Sequence, residues 1–299
     1  MNSQDYPLSQ DVEGWMKDEY DFIMGIDEAG RGPVLGPMVY GACYCPEENE
    51  NRISKLGFND SKQLTEKQRE SLFSRIISVP ELMGYIVDVI QPEVLSEKML
   101  RKAPVSLNVI SHQSAIGLVR AVLAKGIKIS TLYLDTVGPP QKYQDMLVGL
   151  FPEIRTIIVS KKADSLFPIV SAASICAKVI RDHCITSTRF DQLNENADPK
   201  QKIGTNFGSG YPGDPLTKKW IVDSKDKVFG YPKFIRYSWK TTTEAMQGDC
   251  YGVEWTGASE AQNKLKNFVQ PPTTTNAGSK RKRFMFFEEN QISNCIEDF

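Results

Sequence analysis

Asp27 and Glu28 stand side by side in Met24-Gly-Ile-Asp-Glu-Ala-Gly-Arg-Gly-Pro-Val-Leu-Gly-Pro37, after the apolar run Phe22–Ile26 and before Gly30, Gly32 and Gly36. Two other strand-like segments also lead to a carboxylate. Thr131-Leu-Tyr-Leu-Asp135 ends on one, and Ile154–Val159 is followed by Lys161-Lys-Ala-Asp164. Ligands of an open α/β sheet gather beyond the carboxyl ends of its strands. Four acids meeting there would repel one another unless cations came between them. A site of carboxylate oxygens alone, with no Cys or His, suits Mg²⁺ or Mn²⁺ and not zinc. Two such ions can activate a water and stabilise a leaving oxygen in an in-line phosphoryl displacement. Taken singly, each acid reads equally well as a strand-end charge or a helix cap, Asp164 above all. The metal reading depends on strand order bringing the four together.

Several cations fit the same chemistry. Lys62 follows Asp60-Ser61, Lys161 and Lys162 precede Asp164, and Arg181 lies one turn beyond Lys178. Each alone is an ordinary surface charge, but beside an acid cluster they would let a polyanion approach. The formal charge of the 299 residues is −1, so total charge points to no partner. Its distribution says more, because residues 155–240 carry roughly twice as many basic as acidic side chains.

The elements needed to position these groups follow from the pattern. Phe22–Asp27, Met38–Cys45, Gly84–Ile90, Thr131–Asp135 and Ile154–Val159 read as strands. Thr65-Glu-Lys-Gln68 is a capping-box signature leading into a helix through Ile77. Pro92 opens a short helix, and Asn108–Lys125 is apolar at helical spacing up to the natural stop Gly126. Pro140–Leu150 reads as a crossover helix, which makes the last two strands parallel. Phe167–Thr188 is a long helix whose inner stretch Ser171-Ala-Ala-Ser-Ile-Cys-Ala177 lets its backbone lie close to a neighbour. After the turn Gly208–Pro215, the chain from Leu216 to about Ala245 is helical in pieces, and from about Gly257 it turns polar like a disordered tail.

The six cysteines, Cys43, Cys45, Cys176, Cys184, Cys250 and Cys295, fit no zinc spacing, and there are only two histidines, His112 and His183. Free thiols in a reducing compartment are expected. The acidic, polar N-terminus is not a signal peptide, and no apolar run approaches bilayer-spanning length, so an intracellular protein without a membrane partner is expected.

The chain resembles the type 2 ribonucleases H, the ribonuclease HII family, and within it the catalytic subunits of the eukaryotic three-subunit enzyme. The likeness rests on Gly25–Met38, Asp60-Ser-Lys62, Tyr133-Leu-Asp-Thr-Val-Gly138, Lys162-Ala-Asp164, Val170–Lys178, Arg181-Asp182, Gly208-Ser-Gly-Tyr-Pro212 and Phe234-Ile-Arg-Tyr-Ser-Trp239, in the family's order. It implies an α/β ribonuclease-H-like fold, a mixed five-stranded sheet flanked by helices with a helical C-terminal extension. The implied layout is a flexible arm at 1–20, a catalytic domain at 21–213, the extension at 214–256 and a disordered tail at 257–299. Asp27, Glu28, Asp135 and Asp164 fall on the family's catalytic metal ligands for two Mg²⁺ or Mn²⁺ ions. Gly30, Arg31 and Gly32 fall on its ribose-reading loop, Tyr211 on its junction-sensing tyrosine, and Ser61, Lys62 and Arg181 on phosphate-holding positions.

The implied substrates are the RNA strand of RNA–DNA hybrids and single ribonucleotides in duplex DNA. Cleavage would fall 5′ of the ribonucleotide, leaving a 3′-hydroxyl and a 5′-phosphate, in ribonucleotide excision and primer removal. The implied partners are two accessory subunits, for which the segment after Leu216 offers a docking surface. Gln262–Val269 is similar to a sliding-clamp-binding box, with Val269 where a second aromatic is usual. Lys280-Arg-Lys-Arg283 is compatible with nuclear import, and equally with a solvated charge run. Two rivals stand beside this reading: another carboxylate-dependent nuclease or strand-transferase of the same fold, and a non-catalytic nucleic-acid-binding scaffold.

Overall fold

A computed structural model describes residues 6–14, 20–58, 64–188, 203–248, 250 and 251. Ser61, Lys62, Cys295, the clamp-like box and the basic run lie outside the described residues. Six strands form one mixed sheet: β1 (Ser9–Gln10), β2 (Asp21–Ala29), β3 (Met38–Pro46), β4 (Gly84–Ile90), β5 (Lys128–Asp135) and β6 (Thr156–Ser160). Their order is β1-β4-β3-β2-β5-β6. The antiparallel β2–β3–β4 meander is joined on its β2 side by β5 and then β6, both parallel. Parallel pairing needs a crossover, and the helix Pro140–Leu150 supplies it between β5 and β6. The sixth strand is the edge strand β1, where Ser9 and Gln10 pair with Ile86 and Tyr85. Part of the segment expected as a loose arm is therefore docked, and Val12 behind it is buried.

The described helices are α1 (Glu50–Ser54), α2 (Glu66–Ile77), α3 (Pro92–Leu100), α4 (Leu107–Ala124), α5 (Pro140–Leu150), α6 (Ala163–Leu166), α7 (Pro168–Thr186), α8 (Pro215–Asp223) and α9 (Lys240–Met246). Their starts follow local chemistry. Thr65 and Gln68 form the reciprocal capping box of α2, with Thr65 N–H donating to Gln68 Oε1 at 2.8 Å. Helices α3, α5, α7 and α8 each begin with a proline, whose missing N–H costs nothing in a first turn.

Two cores sandwich the sheet. On one side β2, β3 and β5 pack under α4 and α5 through Met24, Ile26, Leu118, Val122, Leu132 and Leu147. On the other they pack under α2 and α7 through Ile23, Val39, Phe73, Ile169, Ala173 and Ile180. Both faces being covered explains why all nine residues of β3 are buried. At 18 residues and mean hydropathy 1.2, α4 has the length and composition of a minimal membrane span, longer than the sequence reading allows. Its Ile110, Ala115, Leu118, Val119 and Val122 belong to the core, the position of a core helix.

Helix α7 lies unusually close to the sheet. A β-carbon on Gly25 would sit 2.6 Å from backbone atoms of Ile169 and Val170, and one on Gly41 would sit 2.5 Å from the Ala173 carbonyl oxygen. The small residues of α7 and these two strand glycines let backbones meet. Cys43 and Cys176 face each other across this contact at 3.7 Å as free thiols; Cys45 is also buried, while Cys184 and Cys250 are partly exposed. A third cluster joins Val34 and Leu35, in the loop after β2, to Trp220, Ile221, Phe234 and Ile235. Leu35 and Ile235 form an antiparallel bridge, so the extension is knitted into the compact unit that runs to Tyr251.

Candidate active site

Alternation along β2 separates the paired acids. Successive strand residues point to opposite faces, so Asp27 and Glu28 leave the same strand end in opposite directions. Asp27 faces α7 and is 5% exposed. The parallel register Ile26↔Leu134 sets Asp135 beside it in the next row. Asp164, in the first turn of α6, is 3% exposed. Asp135 is tied to that helix by the Ala163 N–H, which donates to its Oδ1 at 3.2 Å.

Burial raises the Asp27 carboxyl to about 7; the Ser174 hydroxyl opposes the rise, and the charges of Asp135 and Asp164 add to it. The Glu28 N–H donates to Asp27 Oδ1 at 2.8 Å. Glu28 points to the α4–α5 side, where its charge, after burial, raises Tyr40 and Tyr143. Among the described residues no three Asp, Glu, His or Cys side chains form a cluster that could hold a metal ion as they stand. The donor chemistry nevertheless fits a hard divalent cation. Asp27, Asp135 and Asp164 offer oxygen alone, and the protonation forced on Asp27 is the cost an ion would remove.

The glycine-flanked loop beside this edge is held from below. Gly30 has φ +76°, and a β-carbon there would lie 2.1 Å from Arg181 Nε and 2.7 Å from the Pro37 carbonyl oxygen. Arg236, fully buried, donates from Nη2 to the Gly30 carbonyl at 2.6 Å, from Nη1 to the Arg31 carbonyl at 3.2 Å, and from Nε to the Gly36 carbonyl at 2.8 Å. Trp239 Nε1–H donates to the Gly32 carbonyl at 3.1 Å, and its ring lies 4.7 Å from the Arg236 guanidinium carbon. Four loop carbonyls are thus committed inward. Arg181 donates to the Pro37 and Leu35 carbonyls at 3.3 and 3.4 Å and faces Asp182 at 3.8 Å, so it braces the loop from the α7 side. Replacing Gly30 with alanine is expected to cost about 2–3 kcal/mol in stability, from the left-handed backbone and the clash together, readable by denaturant unfolding.

Tyr211 is 52% exposed, and its ring packs on the loop; a β-carbon on Gly32 would meet Tyr211 Cε1 at 3.2 Å. The turn carrying it is locked by Asp214, which accepts from the Ser209 N–H at 2.6 Å, the Ser209 hydroxyl at 2.7 Å and the Leu216 N–H at 2.9 Å. The Ser209 N–H foremost holds the Asp214 carboxyl down at about 2. The structure therefore gathers Asp27, Asp135 and Asp164 at one sheet edge, and Gly30, Gly32, Arg181 and Tyr211 in one loop assembly.

Arg236, Trp239, Ser174 and Asp214 carry no role in the sequence reading. Their stretches are visible in the sequence, Phe234–Trp239 and Ser171–Ala177 above all, but nothing local to Arg236 or Trp239 announces a partner some 200 residues away, nor to Ser174 its partner Asp27.

Comparison with known proteins covers almost all of this architecture. The profile of the family described as ribonuclease HII matches residues 24–242. The A subunit of ribonuclease H2 from Dictyostelium discoideum is 60% identical over 278 residues, 93% of each chain. The crystal structure of the ribonuclease H2 from Pyrococcus horikoshii OT3 superposes with a TM-score of 0.60 at 34% identity, over 76% of this chain and 97% of that one. The ribonuclease HII of Archaeoglobus fulgidus, solved as a PCNA complex, gives 0.57 at 30%, over 75% and 97%. The matched span includes the aspartate edge, the loop assembly and the Arg236–Trp239 brace, and the chain belongs to the ribonuclease HII family.

Proposed function

We propose that this type 2 ribonuclease H hydrolyses the RNA strand of RNA–DNA hybrids and incises 5′ of single ribonucleotides in duplex DNA, leaving a 3′-hydroxyl and a 5′-phosphate. One observation carries the reading. A buried, charge-crowded aspartate edge stands beside a loop that lacks a side chain at Gly30 and Gly32 and whose carbonyls are already spent on Arg236 and Trp239. A loop so turned offers its remaining backbone to a sugar at close range, and the 2′-hydroxyl is what distinguishes RNA from DNA. Asp27, Asp135 and Asp164, with Glu28 from the other face, would hold Mg²⁺ or Mn²⁺. Such ions supply Lewis acidity and an activated water when bound. Tyr211, whose ring lies over Gly32, would pack against the sugar next to the ribonucleotide. Ser61 and Lys62 are proposed as phosphate-holding residues on the sequence likeness alone.

The test is cleavage of a duplex with one embedded ribonucleotide, with Mg²⁺ or with EDTA, beside an all-DNA control. Cutting of the ribonucleotide duplex alone, and only with metal, is expected. Cutting of both duplexes would favour a general nuclease of the same fold, and cutting of neither a scaffold.

The Dictyostelium relative is named as one lettered component of its enzyme, which supports work within a complex of several chains. Two accessory subunits are proposed to dock on the extension, where Val222, Val228 and Phe229 are 57%, 64% and 85% exposed. Phe229→Asp should release them in co-purification, and full retention would count against this surface. The Archaeoglobus complex supports a clamp contact for Gln262–Val269. A pull-down in which Leu265→Ala plus Phe268→Ala bound clamp as well as the unaltered chain would dispose of it. Nuclear residence through Lys280–Arg283 would fail if alanine at all four basic positions left import unchanged.

A further inference from the structure

The Arg31 side chain is not needed for a loop that reads sugar with its backbone, and it turns toward the start of α4. There its Nη2 donates to Asn108 Oδ1. A guanidinium only donates, so the amide oxygen must face Arg31 and the amide nitrogen must face away. That nitrogen lies 3.7 Å from where a β-carbon on Gly138 would sit, against the turn that follows Asp135. One helical turn later on the same face, His112 Nε2–H donates to the Val137 carbonyl at 3.3 Å. The His112 ring is itself fixed by stacking on Tyr143, with centroids 4.1 Å apart and planes at 20°. The Thr136 hydroxyl closes the turn onto the Gly138 carbonyl at 3.0 Å. The first turns of α4 thus bond the Arg31 loop through Asn108 and the Asp135 turn through His112.

We propose that Asn108 is a positioning residue that sets the spacing between the Gly30–Gly32 loop and the turn carrying Asp135, with His112 as its fixed footing. This rests on the reading that the loop contacts ribose and Asp135 serves the cleavage. Asn108 sits on the exposed first turn of α4 and carries no core packing, so its replacement leaves the fold intact. Its part in the reaction is geometric. A spacer that lets a loop drift by about 1 Å costs up to about a hundredfold in rate without loss of binding.

The experiment uses the full chain assembled with its accessory subunits. Single-turnover cleavage of a duplex with one embedded ribonucleotide is compared for the unaltered chain, Asn108→Ala, Arg31→Ala, the double variant and Asn108→Asp. Asn108→Ala is expected to lower the rate about tenfold with less than about twofold change in substrate affinity. The double variant should be no slower than the worse single one, because both remove one link. Asn108→Asp keeps an acceptor for Arg31 and should recover most of the rate. Rates that multiply in the double variant, or an aspartate no better than alanine, would overturn the assignment.

Amide hydrogen exchange without substrate reads the same link independently of catalysis. In Asn108→Ala, exchange should quicken together in the peptides covering 30–37 and 136–139, and in Arg31→Ala in the first alone. Unchanged exchange in both peptides would sink the spacer whatever the rates. An unaltered assembly that failed to cleave while Asn108→Ala still loosened both peptides would instead remove the functional reading and leave the link standing.

Discussion

Asp27→Asn is expected to abolish cleavage, by about a thousandfold or more, while making the metal-free protein more stable. The first effect follows from removing a charge at the reacting edge. The second follows from burial, which raises the folded carboxyl to about 7 from an ordinary 3.8. The folded state then binds more protons than the unfolded one across that interval. Stability contributed by Asp27 is fully present below about pH 4 and is lost as pH rises towards 7. The loss is a few kcal/mol, at about 1.4 kcal/mol for each tenfold change in proton affinity. Thermal melting in EDTA at pH 8 should therefore show Asp27→Asn several degrees above the unaltered chain, and the gap should shrink as pH falls below about 7 and close only below about pH 4. Mg²⁺ should raise the unaltered chain more at pH 8 than at pH 6, and the variant little at either. A variant that melted below the parent at pH 8 would mean that Asp27 is held by hydrogen bonds rather than penalised by its burial.

Arg236→Ala should have the second largest effect, although Arg236 lies on the extension and fully inside it. Truncation leaves the carbonyls of Gly30, Arg31 and Gly36 buried without their donor, and a cavity beside Trp239. The expected cost is about 3–5 kcal/mol, or roughly 10 °C in melting temperature. The same loosening reaches the loop that stands beside the aspartate edge, so cleavage of the embedded ribonucleotide should fall about a hundredfold at temperatures where the variant is folded. Arg236→Lys should not rescue it. One ammonium cannot serve three carbonyls spread around a planar fork, and the stack on Trp239 would be lost as well. Activity retained in a folded Arg236→Ala protein would show that the loop holds its shape without the brace.

Much of this architecture is legible in local pattern. The apolar runs of β3 and β4, the Thr65–Gln68 box, and the prolines at 92, 140 and 168 each mark an element within a residue or two of where it stands. Each signal is complete within a dozen residues, so reading it needs no knowledge of the rest of the chain. The parallel β5–β6 pair follows from the length of chain between them. The edge strand β1 is not legible, because two residues carry no periodicity and Ser9–Gln10 becomes a strand only by meeting Tyr85 and Ile86.

The site divides the same way. Acids at strand ends can be seen in sequence, and the alternation that sends Glu28 to the opposite face from Asp27 is implicit in their adjacency. What crosses the fold cannot be seen. Arg236 is one arginine among many until the structure sets it under Gly30, and Ser174 is one small residue in a run until α7 lies against β2.

The meeting of α7 with Gly25 and Gly41 has a mechanical consequence. Where a helix rests on a sheet through side chains, rotamers can shift and absorb a disturbance. Here peptide planes abut with nothing between them to yield, so the seam is close to incompressible. Disturbance along it is passed on as rigid-body displacement of α7, which carries both Ser174 and Arg181 towards or away from the strand ends. Tolerance to substitution at this seam should consequently be all-or-none rather than graded.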